Sequence, residues 1–141
     1  MSLHVACRVG TAEYALPASL VLHLESFEHA TRVPGAPPFV AGVVHVRSRV
    51  VPVVDLRVRF GLPPVERTSD HRVIVVSIGT RVAGLLVDSA KEVLQIDEAA
   101  FEKPPELVEH AGGFVTGIAT VAKRMFLRVD VPRIIGEEVH G

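Results

Sequence analysis

The chain has 141 residues, 48% hydrophobic and 22% charged, enough to bury the core of one ordinary domain without disulfides or metal ions. Its formal net charge is -1, only 5% of its residues are aromatic and it has no Trp, which counts against a nucleic-acid surface built from positive charge and stacking rings. A single Cys, no leader-like N-terminus and no apolar run near 20 residues predict a reduced, soluble, cytoplasmic protein with no direct membrane insertion.

Alternation of apolar and other residues predicts strands from the start of the chain. Residues 5–9 alternate, Gly10-Thr11 is typical of a turn, and residues 14–16 form the second arm of a hairpin. From 20 to 25, leucines alternate with Val, His and Glu, which predicts a half-buried strand. Residues 27–39 are polar and then proline-rich, so we expect a loop there.

The longest alternating stretch is residues 39–61, FVAGVVHVRSRVVPVVDLRVRFG. Its short polar interruption is residues 47–49, so we expect a β-hairpin that reverses there, with both arms partly buried. Pro52 has no N–H to donate, which predicts an unpaired or bulged edge. Arg57 and Arg59 alternate with apolar residues and fit the solvent-facing side of a strand.

The middle of the chain contains a long aperiodic segment. Residues 62–70 carry prolines and charges, which fits either a seam between two halves or an ordinary long loop. Residues 71–78 and 81–88 then predict a second hairpin around a Gly-Thr turn.

The last part of the chain predicts short elements. Residues 93–96 continue the strand pattern, and Asp97 can cap a single helical turn over residues 98–100. A final hairpin and a short helix that ends at a glycine are predicted at 114–119 with 125–129 and at 130–136.

Residues that could carry chemistry are scattered. There is no G-x-S-x-G, H-E-x-x-H, phosphate-binding glycine loop or cysteine pair. Cys7 fits a small core residue, and Asp55, Asp88 and Asp130 follow strands where an Asp commonly bonds turn amides or caps a helix. The histidines lack metal-ligand spacing, so neither a metal site nor a cofactor is predicted: His4, His23, His29, His45, His71, His110 and His140.

The stretch from Pro34 to Arg57 resembles the CheW-like chemotaxis coupling proteins, whose signature is roughly P-x-x-P-x-x-x-x-G-x-x-N-L-R-G-x-x-x-P-V-x-D-L-R. Two positions depart from it, since His45 replaces the Asn and Ser48 replaces the Gly. The likeness spans nearly the whole chain. The matching positions are Pro34, Pro37, Gly42, Arg47, Pro52, Val53, Asp55, Leu56 and Arg57.

This resemblance implies a mainly all-β fold, with two small five-stranded SH3-like β-barrels packed side by side and short helical turns. We expect one CheW-like domain over residues 1–141, with a first subdomain at roughly 10–62 plus a chain end and a second at roughly 71–122. The implied function is a noncatalytic adaptor that couples the cytoplasmic tip of chemoreceptor-like proteins to the regulatory domain of a CheA-type histidine kinase in a chemosensory array.

Site residues carried over from the family form two groups. In relatives the arginine at the position of Arg47 lies by the receptor groove and can pair with an acid at the position of His23, so the pairing here is expected to be lost or pH-sensitive. If Ser48 has a positive φ, its presence costs on the order of 1 kcal/mol. Leu107 is the implied kinase contact. The implied receptor contacts are Val21, His23, Gly42, His45, Arg47, Ser48 and Val93.

Three functional hypotheses follow. The first is the adaptor, in a specialised form that has weakened contact with one partner, because His23, His45 and Ser48 depart from the family pattern. The second is a small-barrel nucleic-acid-binding module, which salt-dependent oligonucleotide binding would support. The third is an enzyme of unrecognised type, which a deep polar pocket with clustered acids or histidines would support.

Overall fold

The computed structural model describes residues 1–106 and 113–136, which form mostly β-structure. In chain order the strands are β1 (Ser2–Val9), β2 (Ala12–Pro17), β3 (Val21–Ser26), β4 (Val40–Val46), β5 (Arg49–Asp55), β6 (Arg72–Ile78), β7 (Arg81–Val87), β8 (Ser89–Ile96), β9 (Val115–Val121) and β10 (Arg124–Val129). Two short α-helices, α1 (Leu56–Arg59) and α2 (Val131–Ile135), and two 3-10 turns, Ala18–Leu20 and Glu98–Ala100, complete the described elements.

The strands form two five-stranded sheets of the same build. The first barrel has the order β8-β1-β2-β10-β9, and the second barrel has the order β3-β6-β7-β5-β4. Each contains one parallel pair, β2 with β10 and β5 with β7, among antiparallel ones. The predicted hairpins and the two five-stranded barrels are therefore confirmed.

The strands divide between the barrels differently from the subdomain ranges 10–62 and 71–122. All strands from β3 to β7 belong to the second barrel, and the first barrel is built from both ends of the described chain, β1 and β2 with β8 to β10. Residues 62–70 join α1 to β6 within the second barrel, so this segment is a loop and not the seam between halves. Alternation identifies strands but does not identify their partners, which here depend on long-range parallel pairing.

A shared hydrophobic core joins the barrels. It combines buried residues of the first barrel, such as Leu16 and Val129, with buried residues of the second, such as Ile74 and Leu85. Each barrel also has a smaller core of its own, around Phe126 in the first and Val53 in the second. Since apolar surface from both sheets is removed from water in the same cluster, the barrels pack side by side as one unit.

An ion pair reinforces this joint. The guanidinium of Arg57 donates to both carboxylate oxygens of Asp88, and the backbone N–H of Gly10 donates to Asp88 Oδ2 at 2.8 Å. Burial disfavours the Asp88 carboxylate, but the hydrogen bonds from Arg57 and Gly10 and the charges of Arg57 and His71 hold its pKa below the ordinary value. Asp88 thus links α1 of the second barrel to the first turn of the first barrel.

Two of the predicted aspartate caps are confirmed at the helices, and one local prediction is wrong. Asp55 accepts from the N–H of Arg57, and Asp130 accepts from the N–H of Arg133. Residues 56–59 are helical and do not continue the strand, because the Asp55 cap satisfies the amides that begin a helix. Arg59 is therefore not on a solvent-facing strand; it stacks on Phe39 at 3.9 Å.

Candidate functional site

The β4–β5 hairpin turn projects a charged end from the second barrel. Arg47 and Ser48 have φ angles of 47° and 68°, the left-handed conformation of a tight hairpin turn. Ser48 therefore meets the condition under which a residue other than glycine is costly at this position. The side chain of Arg47 is 68% exposed, so the turn holds a cation in solvent beside the strand edges.

Arg47 is paired, but with a residue that the family resemblance did not single out. Its Nε donates to Oε1 of Glu25 at 3.4 Å. Glu25 lies two residues beyond His23 on β3, so both side chains point to the same face of that strand. Arg47 thus has an acidic partner on β3, two residues beyond His23.

A small pocket lies next to this ion pair. It has a volume of about 180 Å³ and combines His23 of β3 with Arg47 and Arg49 of the turn over an apolar floor. The apolar lining residues are Leu22, Val46, Val51, Val75 and Val82. A pocket with a cationic rim and a valine floor suits one apolar side chain together with an acidic neighbour.

A second, larger pocket lies between the end of β3 and strand β4. It has a volume of about 360 Å³. Glu25 and Phe27 line it on the β3 side, and Val44 and His45 line it on the β4 side. Val46 lines both pockets. Because β3 and β4 are the two outermost strands of the second barrel, the pockets mark an open seam between its edges. Open strand edges and the grooves beside them are common places for proteins to bind other proteins.

The family described as a CheW-like domain matches residues 4–139 of this chain. The chain belongs to the CheW-like domain family.

Individual relatives agree with this assignment. The chain is 31% identical over 131 residues to the chemotaxis protein CheW of Klebsiella aerogenes, covering 92% of this chain and 79% of that protein. It is 38% identical over 101 residues to CheW of Bacillus subtilis, covering 72% and 65%. The crystal structure of the scaffolding protein TtCheW from Thermoanaerobacter tengcongensis superposes with a TM-score of 0.84 at 32% identity, over 92% of this chain and 84% of that one. The resemblance read from the signature is thereby confirmed.

Gly42 of the CheW-like signature has a structural explanation. It is buried in β4 with a φ of 143°, and a Cβ there would lie 2.2 Å from the carbonyl oxygen of Thr31. Thr31 and Val43 exchange backbone hydrogen bonds at this point, which ties the preceding loop to the strand. Gly42 thus permits a close backbone approach, and it offers no side chain to a partner.

The other receptor contacts implied by the resemblance fall in different places. Val21 begins β3 and packs against the shared core, whereas Val93 lies on β8 of the first barrel with 57% of its surface exposed. His23, Arg47 and Ser48 are brought together at the turn end of the second barrel, with His45 in the adjoining pocket, while Val93 belongs to the other sheet. Leu107 lies outside the described residues.

Sequence reasoning missed two exposed leucines. Leu22 and Leu24 of β3 are 47% and 45% exposed. Leu24 is opposite the buried Ile74, and Val93 is opposite Val5, both of which belong to the shared core. Both edge strands therefore carry apolar side chains beside that core. The leucine alternation was visible, but it could not tell which face a neighbouring element covers.

Three further observations limit the chemistry of the described residues. Among residues 1–106 and 113–136, no group of three or more His, Cys, Asp or Glu side chains could hold a metal ion. In the same ranges, no helix is long and apolar enough to cross a membrane. Burial, with a smaller contribution from Asp88, raises the pKa of the Cys7 thiol to about 12, so this buried cysteine is held as the protonated thiol and not as a nucleophilic thiolate.

Proposed function

We propose that the chain is a noncatalytic adaptor that couples chemoreceptor-like proteins to a histidine kinase in a chemosensory array. The observation that carries this proposal is the combination of the CheW-like fold with an exposed, acid-paired Arg47 at an open strand edge. Adaptors work through exposed edges and apolar patches, and both are present on β3 and β8.

The receptor tip would bind at the edge strands. Arg47 supplies a cation, the pocket beside it supplies a valine floor, and Leu22, Leu24 and Val93 supply exposed apolar surface. An interface of this composition, with an arginine and a few apolar anchors, is typical of the residues that dominate protein–protein affinity. The kinase regulatory domain would contact the region of Leu107, by the resemblance to CheW-like proteins.

The ionisable groups favour contact over catalysis. Where pKa values are lowered, at Glu13, Glu92 and Asp88, hydrogen bonds from arginines hold the carboxylates ionised; burial opposes this at all three and is the largest effect only at Asp88. A carboxylate fixed in this way strengthens the fold and is a poor proton donor at neutral pH.

Separate binding measurements test the proposal. A receptor tip fragment and the kinase regulatory domain from the same organism are each titrated against the chain and against Arg47→Glu. We expect measurable binding of both partners by the chain and a loss of receptor binding, but not of kinase binding, in the variant. If the chain bound neither partner, the proposal would be contradicted.

The same titrations test the specialised form. His23, His45 and Ser48 alter the charge and shape of the receptor side, so we expect unequal affinities for the two partners. Equally tight binding to both would refute the specialisation while leaving the adaptor itself supported.

A further inference from the structure

In each barrel one edge of the sheet is formed by a hairpin, β4–β5 or β9–β10. An arginine of that hairpin pairs with an acid on the strand at the other edge. In the second barrel Arg47, in the β4–β5 turn, pairs with Glu25 of β3. In the first barrel Arg124, at the start of β10, pairs with Glu92 of β8 and also with Glu13 of β2. Since the edge strands of each barrel are at opposite ends of its sheet, both arginines form ion pairs that bridge the two edges.

In the first barrel all three guanidinium nitrogens of Arg124 donate hydrogen bonds to acids. Nε and Nη2 of Arg124 donate to Glu13, and Nη1 and Nη2 donate to Glu92, at 2.6–3.2 Å. The hydrogen bonds from Arg124 hold the pKa values of both carboxyls below their ordinary range. Every nitrogen of this guanidinium therefore donates within the fold, and, counting bonds to the described residues, only one of its five N–H donors, on Nη1, is left for a partner.

In the second barrel only one of the three guanidinium nitrogens of Arg47 donates a hydrogen bond within the described part of the chain. Arg47 uses Nε alone, in its bond to Glu25. Among the described residues neither Nη group of Arg47 forms a hydrogen bond. Its side chain is 68% exposed and that of Glu25 is 32% exposed. An exposed pair of this kind contributes little to stability, so its main consequence is the orientation of the guanidinium.

We propose that Glu25 is the positioning residue of the receptor-binding arginine: it holds Nε of Arg47 so that both Nη groups face outward to receive a carboxylate of the receptor tip. This rests on the proposed function. A guanidinium donates two parallel hydrogen bonds to a carboxylate, and a fork fixed in advance loses less conformational freedom on binding. The valine floor of the adjoining pocket accepts an apolar side chain next to that acid.

Arg49 provides a matched comparison. It begins β5 next to the turn and lines the same pocket as Arg47, but among the described residues its side chain has no acidic partner and no hydrogen bond. Both cations contribute to the local positive charge, whereas only Arg47 is held in place. Positioning, and not charge alone, therefore distinguishes them.

A double-mutant cycle tests the inference. Dissociation constants for the receptor tip fragment are measured for the chain, Glu25→Ala, Arg47→Ala and the double variant, with thermal unfolding as the check on folding. We expect Arg47→Ala to weaken binding about tenfold or more, and Glu25→Ala to weaken it about threefold to tenfold in the chain but not in the Arg47→Ala background. Glu25→Gln should retain most of the affinity, because its amide oxygen also accepts from Nε.

Two controls complete the design. Arg49→Ala should weaken binding less than Arg47→Ala, and Glu13→Ala, which removes an acid of the first barrel on the inner strand β2, should leave receptor binding unchanged. If Glu25→Ala weakens binding equally with and without Arg47, or tightens it, Glu25 does not position the arginine and the inference is overturned. If the unmodified chain does not bind the receptor tip at all, the proposed function itself fails, which is a distinguishable outcome.

Discussion

Arg57 and Asp88 form a two-point ion pair between the barrels, with Nε 2.9 Å from Oδ1 and Nη2 2.6 Å from Oδ2. The two side chains are 16% and 18% exposed. The aspartate also receives the N–H of Gly10, so removal of its charge affects both barrels. Two residues of the D-L-R motif thus stabilise the fold: Asp55 caps α1, and Arg57 pairs with Asp88 between the barrels.

Asp88→Asn should destabilise the fold. The variant keeps the size of the side chain but loses charged hydrogen bonds to Arg57, so we expect a loss of roughly 1.5–3 kcal/mol in the free energy of unfolding. Asp55→Asn is the matched control, because asparagine caps a helix about as well as aspartate. Urea unfolding of both variants checks this; equal stability of the two would contradict the role of the ion pair.

The effect of Asp88 should depend on pH in one direction. Its pKa is lower in the folded chain than in the unfolded one, where an aspartate titrates at about 3.9. Its stabilising effect is therefore fully present above that value and is lost as the pH falls through the folded pKa. The difference in unfolding free energy between the chain and Asp88→Asn should be constant near pH 7 and shrink below about pH 4. A difference that grows on acidification would contradict this.

Gly42→Ala should be strongly destabilising. A Cβ at this position would meet the carbonyl of Thr31, and the φ of 143° is unfavourable for alanine. We expect a loss of about 3 kcal/mol or more, in the range of severe single substitutions. Gly35→Ala separates the two causes, since Gly35 also has a positive φ but nothing lies within 4 Å of its added Cβ; this variant should lose only about 1 kcal/mol. Thermal unfolding of both decides the matter.

Ser48→Gly should stabilise the chain. Ser48 has a φ of 68°, a conformation that a glycine adopts at about 1 kcal/mol lower cost. Lys123→Gly is a matched variant, because Lys123 has the same φ of 68° in the β9–β10 turn of the first barrel. Both should raise the unfolding midpoint, and only the first should alter receptor affinity. A decrease in stability for both would show that the turns are not strained.

The exposed leucines of β3 should matter for binding and not for folding. Leu22→Ser with Leu24→Ser removes apolar surface that is nearly half exposed, so we expect little change in the unfolding midpoint but at least about fivefold weaker receptor binding. Leu3→Ser is the control, since Leu3 is similarly exposed, at 50%, on β1. If the control weakens binding as much, the effect is not specific to β3.

The hairpins could be predicted because their signal is local. The turn at Arg47 and Ser48 stands out in an alternating run, and the two caps at Asp55 and Asp130 follow from their place before helical residues. The membership of each strand in a barrel could not be predicted, because β5 pairs in parallel with β7 across a long connection. Neither could the pairing of Glu25 with Arg47, since it joins the two edges of a sheet that lie near each other only because the sheet curves into a barrel.

The most direct test of the adaptor is whether one copy of the chain holds both partners at once. Sedimentation analysis of the receptor tip fragment and the kinase regulatory domain, alone and with the chain, measures this. We expect no stable complex of the two partners alone, a ternary complex when the chain is added, and loss of the receptor component with Arg47→Glu. Competition between the two partners for the chain, or binding of neither, would contradict the account.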